Sequence, residues 1–196
     1  MKKLTLAVLL AASLGTVSVA QAAERTAEAI ASWDAKAIKD TTSMLVVTPL
    51  KSLTFNYAEG QEAFNNLDGA FDVTIAGQSG ATDFKLASKV ISSTLARSSD
   101  DSTLEVGVRW NGEKLSKDTE LVMIDTGSGV NTGLTALTAG DAYAQSGRVS
   151  ALGQFNFSIT SASVGGTATP YKDLTDGLWD GNVNVQFLAT WTGDFV

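Results

Sequence analysis

Short segments in which apolar and polar residues alternate recur along most of this chain, and they constrain its fold more than any other feature. The longest of them places Val183, Val185, Phe187, Ala189 and Trp191 on one side of an extended chain. Because successive side chains of a β-strand point to opposite faces, this period of two predicts strands with one buried face. The other predicted strands are 45–48, 53–57, 71–75, 84–91, 104–110, 121–124 and 155–160.

Turn residues separate these segments, and the number of short strands between them predicts a β-sandwich. Gly occurs 18 times and Pro only twice, and Asn111-Gly112 is a strong signal for a hairpin. The small, polar, Gly-rich stretch 127–150 is predicted to be a long surface loop. No helix is predicted in residues 41–196, which contain no internal repeat and form one predicted domain.

The first 22 residues have the pattern of a secretory signal peptide. Lys2 and Lys3 precede a largely apolar run, and Ala20-Gln21-Ala22 supplies the small residues of a cleavage site. The apolar run is shorter than the about 20 residues that a membrane-spanning helix needs. We therefore expect cleavage after Ala22, export through the periplasm and an extracellular location.

The chain has no cysteine and no histidine, and its formal net charge is −7. Without histidine it lacks the commonest general base and the commonest metal ligand, so no catalytic site, metal site or cofactor is predicted. An acidic surface repels phosphate groups, which argues against nucleic acid as a partner. Small secreted domains often depend on disulfides, so this chain must gain its stability in another way.

Residues 23–40 alternate small apolar residues with polar ones and carry one large apolar anchor, Trp33. An extended conformation places Ala27, Ala29, Ala31 and Trp33 on one face, with Ile30 as the apolar exception on the polar face. Alanine is also the best helix former, so composition alone does not distinguish a strand from a helix here. A terminal strand can pair with its own domain or with a neighbouring chain.

Three short motifs have a chemical interpretation and a structural one. The Asp-Thr-Gly sequence at 125–127 matches aspartic proteases, but that chemistry needs two carboxylates and one copy is present, so a strand ending in a turn is predicted. The aspartates at 100–101 suit either calcium or a hairpin tip, and the hairpin tip is predicted. Trp110 and Trp191 lie on apolar strand faces, whereas Trp179 is the tryptophan predicted to be exposed.

Longer stretches of the chain resemble a known group of proteins. They are the Ala-rich segment ending in Ser32-Trp33 and residues 39–43, 45–50, 55–60, 69–73, 122–126, 177–179, 183–187 and 189–191. In this order they are similar to the major fimbrillins of the enterobacterial common pilus, which are shaft pilins of the alternate chaperone–usher family. The similarity extends over nearly all of the chain that follows the predicted signal peptide.

The resemblance implies an incomplete immunoglobulin-like β-sandwich with an N-terminal donor-strand extension that completes a neighbouring subunit. The donor residues would be Ala27, Ala29, Ala31 and Trp33. The acceptor groove, which a chaperone would bind first, would be lined by Leu45, Val47, Leu53, Val183, Val185, Phe187 and Trp191. The implied partners are identical subunits, a periplasmic chaperone, an outer-membrane usher, a tip adhesin subunit and host-cell receptors, and the implied location is a cell-surface fimbrium.

Two functions from different classes follow from these observations. The first is the major structural subunit of a pilus, polymerised by donor-strand exchange and contributing to adhesion and biofilm formation. The alternative is a secreted carbohydrate-binding module or tip adhesin, in which an exposed Trp179 would stack on a sugar. We predict that the chain is not an enzyme, because it has neither histidine nor cysteine and no paired acidic residues in a catalytic pattern.

Overall fold

The computed structural model describes residues 39–195, and most of its regular structure is antiparallel β-sheet. The strands are Leu45–Pro49 (β1), Tyr57–Ala58 (β2), Ala63–Phe64 (β3), Leu67–Ala76 (β4), Ala81–Ser92 (β5), Thr94–Ala96 (β6), Ser102–Trp110 (β7), Glu113–Lys114 (β8), Leu121–Asp125 (β9), Val130–Asn131 (β10), Arg148–Val164 (β11), Thr167–Ala168 (β12) and Asn184–Gly193 (β13). A short α-helix, Gly140–Tyr143 (α1), accompanies three 3₁₀ turns at Glu59–Gln61, Thr135–Leu137 and Tyr171–Asp173. The all-β class predicted from the sequence is confirmed.

The long strands form two sheets. One sheet has the order β1-β4-β11-β7-β6, with β12 attached to β11 and β8 attached to β7. The other has the order β10-β9-β5-β13, and β2 and β3 form a small separate hairpin. Adjacent strands run antiparallel in every one of these pairs.

The order of the strands corresponds to an immunoglobulin sandwich without its last strand. In that fold, strands A, B, E and D share one sheet, and C, F and G share the other. Here β1, β4, β11 and β7 occupy positions A, B, E and D, while β5 and β13 occupy positions C and F. Within residues 39–195 no strand lies at position G, beside the free edge of β13.

The inward faces of the two sheets form one apolar core. The ring of Phe71 on β4 stacks on Phe155 of β11, with centroids 4.7 Å apart, and meets Phe187 of β13 at 5.3 Å. Side chains from both sheets therefore interdigitate, as in other β-sandwiches. Trp110, which the sequence predicts to be buried, is 4% exposed and donates its indole N–H to Thr132 at 2.7 Å.

The predicted hairpin at Asn111-Gly112 joins β7 to β8. Asn111 has φ of 48° and Gly112 has φ of 86°. Both angles lie in the left-handed region, which Asn and Gly tolerate better than other residues and which tight hairpin turns require. The sequence signal therefore identified this turn correctly.

Three sequence predictions about local structure are wrong, and the first is that residues 41–196 contain no helix, since α1 lies among them. The stretch 127–150 is more than a surface loop, because it contains β10, a 3₁₀ turn and α1, and it buries Leu134, Leu137 and Ala142. The predicted strand 53–57 is also absent except for Tyr57 in β2. Leu53 and Phe55 pack half-buried against the core, so their alternation reflects burial without strand pairing.

The predicted signal peptide, residues 1–22, lies outside the described residues, and so do residues 23–38 of the predicted extension. Asp40 is described and forms a compact turn with the residues that follow it. The hydroxyl of Ser43 donates to Asp40 at 2.5 Å, and the backbone N–H groups of Ser43 and Thr42 also donate to it, which lowers the pKa of Asp40 to about 2. Between residues 39 and 195, no helix is long and apolar enough to cross a membrane.

Candidate subunit interface

Two strands of the sandwich have a free edge at the same side of the molecule. Among residues 39–195, β1 is the last strand of its sheet and pairs only with β4, from Leu45 opposite Ile75 to Pro49 opposite Phe71. In the same part of the chain, β13 is the last strand of the other sheet and pairs only with β5. A free edge presents unpaired backbone N–H and C=O groups, which another strand can bind.

The inward side chains of β13 are half-buried along its whole length. They are Val185, Phe187, Ala189 and Trp191, and they lie opposite Val90, Ser88, Leu86 and Phe84 of β5. The four β5 residues are buried, whereas the four β13 residues keep part of their surface exposed. The core is therefore closed on the β5 side of β13 and open on its free side.

The strands β1 and β13, whose free edges face the same gap between the sheets, run in opposite chain directions. Phe187, in the first half of β13, contacts Phe71, which pairs with Pro49 at the end of β1. Trp191, near the end of β13, packs on Phe84 at 5.2 Å. Phe84 in turn stacks with Tyr143, whose carbonyl accepts the N–H of Gln78 just after β4. The Trp191 end of β13 is thus level with the start of β1.

Between these two edges lies an apolar strip that we call the open groove. Its β1 side consists of Leu45 and Val47, and its β13 side consists of Val185, Phe187, Ala189 and Trp191. These inward positions carry no charge, and each packs against the buried core. The arrangement can accept an extended segment that offers small apolar side chains to the core and backbone hydrogen bonds to the edges.

The sequence-predicted acceptor residues fall into two groups. Leu45, Val47, Val185, Phe187 and Trp191 lie on the inward faces of the two edge strands. Leu53 and Val183 lie beyond the strand ends, where both are half-buried against the core. The sequence prediction omitted Ala189, although the alternation that identified its neighbours on β13 includes it. The predicted donor residues Ala27, Ala29, Ala31 and Trp33 lie outside the described residues, so their role stays a prediction.

A buried arginine attaches the segment that precedes β13 to the hairpin between β6 and β7. The guanidinium of Arg97, whose residue is 8% exposed, donates to the carbonyls of Thr175 at 2.5 Å and Asp176 at 2.7 Å. It also donates to Asp100 with both Nε and Nη2. The bonds from Arg97, together with two from the hydroxyl and the backbone N–H of Ser102, hold the pKa of Asp100 well below its usual value. The cluster fixes the path by which the chain enters the last strand.

Trp179 belongs to the same cluster and is not the freely exposed aromatic that the sequence suggested. Its indole N–H donates to the hydroxyl of Ser102 at 2.9 Å, and the guanidinium of Arg97 lies 5.2 Å from its ring centre. The ring also meets Phe64 edge-on at 6.4 Å. A tryptophan engaged on its N–H, one edge and one face has little surface left for stacking on a sugar.

The Asp-Thr-Gly motif has the structural role that was predicted for it. Asp125 ends β9 and accepts the N–H of Ser128 at 3.0 Å, which lowers the pKa of the Asp125 carboxyl. The hydroxyl of Thr126 accepts the N–H of Phe84 at 2.8 Å, so the turn is bonded to β5. Among the described residues no group of acidic side chains is arranged to hold a metal ion.

The fold and the open groove together define a class: structural subunits built as an incomplete sandwich, to which the pilins belong. A model of the family Fimbrillin MatB matches residues 26–191. The chain belongs to this fimbrillin family, as its sequence indicated.

Individual relatives agree with this assignment. The common pilus major fimbrillin subunit EcpA of Klebsiella pneumoniae strain 342 is 51% identical over 196 residues, which cover 98% of this chain and 100% of the relative. The protein of the same name from Escherichia coli strain K12 is 50% identical over the same shares of both chains. These similarities confirm the prediction of a structural pilus subunit.

A solved structure of the CooA pilin subunit from enterotoxigenic Escherichia coli also aligns with this chain. The alignment covers 76% of this chain and 89% of that one, at 17% sequence identity and a TM-score of 0.49.

Proposed function

We propose that this chain is the major subunit of a bacterial surface pilus and that it polymerises by donor-strand exchange. One observation carries the proposal: the free edges of β1 and β13 border an apolar groove at the position of a missing strand. The segment proposed to fill it is the N-terminal extension of a second copy, with Ala27, Ala29, Ala31 and Trp33 directed toward the core. Alanine-sized side chains allow the added backbone to lie close to the half-buried residues of the groove.

The strand that fills the groove contributes through both its side chains and its backbone. Burying a tryptophan side chain of ~200 Å² at about 25 cal/mol per Å² contributes on the order of 5 kcal/mol. A ladder of about 8 to 10 backbone hydrogen bonds, at roughly 1 kcal/mol net each, contributes a similar or larger amount. The cost of ordering the segment opposes both contributions, so the net binding free energy is smaller than their sum. An exchanged strand would also explain how a secreted chain without cysteine is stabilised.

The remaining partners follow from the same open groove. We propose that a periplasmic chaperone covers the groove before assembly, that an outer-membrane usher exchanges it for the next subunit, and that a tip adhesin subunit shares the fibre. This assembly requires the predicted signal peptide, cleaved after Ala22, and it places the fimbrium on the cell surface. Repetition along a fibre multiplies weak contacts with host-cell receptors or other cells, which supports a role in adhesion and biofilm formation. The proposed role is structural and not enzymatic.

The proposal is tested by Trp33→Asp, because a carboxylate in the core-facing position of the donor strand would have to be buried without a partner. We expect the variant to be secreted as a monomer and to form no fibres in electron micrographs of protein sheared from the cell surface. Ser32→Asp is the matched control, since it introduces the same acid one residue away on the opposite face, and it should leave fibres intact. Normal fibres from Trp33→Asp, or from a chain lacking residues 24–36, would rule out the donor role.

The contacts of Trp179 do not favour carbohydrate binding as a second function. Trp179, the side chain that suggested it, is engaged with Ser102, Arg97 and Phe64.

A further inference from the structure

The outward face of β13 carries one apolar side chain among polar ones. Leu188 is 47% exposed on that face. The other outward side chains of the strand are polar and exposed, and they are Asn184, Gln186, Thr190 and Thr192. Because the other outward side chains of β13 are polar, Leu188 is the one apolar outward position along the free edge of this strand.

Leu188 is also the end of an apolar row that crosses the four-stranded sheet. It lies directly opposite Ala87 of β5, and Ala87 lies opposite Val122 of β9. Residues directly opposite each other in antiparallel strands share a face and contact each other. Ala87 is only 1% exposed between its two neighbours, whereas Leu188 has a strand neighbour on one side only among the residues that the structure describes. The row therefore stops at the vacant strand position.

Within residues 26–36 of the N-terminal extension, the polar face has one apolar residue, Ile30; the next apolar residue on that face, Ile38, lies beyond the proposed donor residues. In an extended chain the other side chains of that face are polar, and they are Thr26, Glu28, Ser32, Asp34 and Lys36. An added strand beside β13 would place this face outward, next to Leu188. Each partner thus offers one apolar outward position, and matching the two fixes the register of the strand in the groove.

The direction of the added strand follows from the neighbouring pairs and from side-chain size. All strand pairs described in this domain are antiparallel, and antiparallel pairs are slightly more stable per residue than parallel ones. An antiparallel strand with Ile30 opposite Leu188 sets Ala27, Ala29, Ala31 and Trp33 opposite Trp191, Ala189, Phe187 and Val185 in that order. The small donor residues then meet both aromatic side chains of β13, and Trp33 meets a valine. A parallel strand would instead bring Trp33 against Trp191.

An antiparallel direction belongs to the proposed donor-strand exchange itself, and from the pattern above we infer the register: in residues 27–33 of a second copy, Ile30 lies directly opposite Leu188. The inference rests on the proposed donor-strand exchange, and it adds the register of the exchanged strand. Ile30 extends the row Val122-Ala87-Leu188 by one strand, so the contact that sets the register lies on the outer surface of the fibre and outside the groove.

Engineered cysteines test this register, because the chain contains no cysteine of its own. The double variant Ile30→Cys with Leu188→Cys is produced with its secretion partners, fibres are verified by electron microscopy, and mild oxidation follows. Directly opposite side chains have Cβ atoms about 4.5–5.5 Å apart, close to the about 3.5–4.5 Å of a disulfide, whereas a shift by two residues adds about 7 Å. We expect a ladder of covalently linked subunits on a non-reducing denaturing gel.

Matched pairs test register and direction separately. Ser32→Cys with Gln186→Cys belongs to the same antiparallel register and should also give a ladder, including in the case that the first double variant forms no fibres. Ile30→Cys with Thr190→Cys represents a shifted register, and Ser32→Cys with Thr190→Cys represents a parallel strand, so both should remain monomeric on the gel.

The outcomes separate this inference from the proposed function. Fibres in which the shifted or parallel pair forms the ladder, or in which neither antiparallel pair does, would overturn the register while leaving donor-strand exchange in place. A monomer with an internal disulfide and no fibres would show that the extension fills its own groove, and it would overturn both.

Discussion

At the scale of single residues, Arg97 and Asp100 show how a charged pair can organise the entry to an edge strand. Arg97 contacts Asp100 and two carbonyls of the segment before β13, and Trp179 lies against its guanidinium. Removing either side chain leaves the other with unpaired donors or acceptors in a largely buried place. The free-energy cost of leaving that group unpaired is larger than the net stabilisation from the intact pair.

Asp100→Asn should therefore destabilise the domain in a pH-dependent way. Hydrogen bonds from Arg97 and Ser102 hold the pKa of Asp100 below its ordinary value of 3.8. The stabilisation from this lowered pKa is fully present above pH 3.8 and disappears as the pH falls through the lower folded value. We expect a lower Tm than wild type at pH 7 and a difference that shrinks in strong acid. Asp101→Asn, at the exposed neighbouring aspartate, is the control, and equal Tm curves for wild type and Asp100→Asn would contradict the prediction.

Gly153 leaves room for the aromatic cluster behind the open groove. It pairs with Phe71, and a Cβ at position 153 would lie 2.5 Å from Cζ of the Phe71 ring. Phe71 cannot move freely, since it also contacts Phe155 and Phe187. Overpacking of this kind costs about 1–3 kcal/mol, so Gly153→Ala should lower the free energy of unfolding in urea by that amount.

The matched control for this change is Gly147→Ala, just before the same strand, where an added Cβ would meet no atom within 4 Å. A loss of stability as large at position 147 as at position 153 would show that the Phe71 contact is not the cause.

At the scale of elements, alternation predicted the strands that pair along their whole length. The strands β4, β7 and β13 were identified because each has one face in the core and polar residues on the other. Residues 53–57 show the same alternation, yet Leu53 and Phe55 are half-buried without a partner strand, and a sequence does not reveal which segments find partners. The α1 region was missed because its helix has only four residues and lies in a polar, Gly-rich stretch.

The residues of the open groove could also be predicted only in part from the sequence. The inward residues of β13 follow from alternation, whereas Leu45 and Val47 of β1 were implied by the family resemblance, since Val46 between them is apolar too. The position of both strands at free edges follows from the order of strands in the sheets, which is a long-range property. The role of Trp179 was missed for the same reason. Its partners Arg97 and Ser102 are distant in the sequence, and no local pattern connects them.

The strand β1 offers a test of the groove that does not involve the extension. Val47 points inward and is half-buried, whereas the adjacent Thr48 points outward and is exposed. Val47→Asp would place a charge where the donor strand has to lie, so we expect secreted monomer and no fibres by electron microscopy. Thr48→Lys, which places a charge on the outward face opposite Asp72, should leave fibre formation unchanged. Circular dichroism of the secreted Val47→Asp monomer checks that the domain is folded, and fibres from a folded Val47→Asp variant would contradict the prediction.

At the scale of the whole molecule, the acidic charge governs how assembled fibres interact. The full chain has 21 acidic and 14 basic residues and an isoelectric point near 4.5. Lys2 and Lys3 lie in the predicted signal peptide, so the exported subunit has 12 basic residues against 21 acidic ones and an isoelectric point below that value. At neutral pH the repetition of this charge along a fibre repels neighbouring fibres, and salt screens the repulsion within a Debye length of about 10 Å at 0.1 M.

Fibres should therefore associate laterally as the pH falls toward the isoelectric point of the exported subunit, which lies below about 4.5, and separate again when the pH is raised. Light scattering of sheared fibres across this pH range, at low and at physiological salt, measures the effect. We expect the largest pH dependence at low salt. Scattering that does not change between neutral pH and the isoelectric point would show that forces other than net charge control bundling.

The vacant strand position also determines the polarity of any polymer built through it. The groove and the segment proposed to fill it belong to different surfaces of the chain, so the contact is head-to-tail and extends without closing on itself. One end of such a polymer has an empty groove and the other has an unused extension, and the two ends cannot join identical ends of other polymers. A peptide that occupies the terminal groove would stop elongation there, and one molecule per fibre would be enough, however many subunits the fibre already contains.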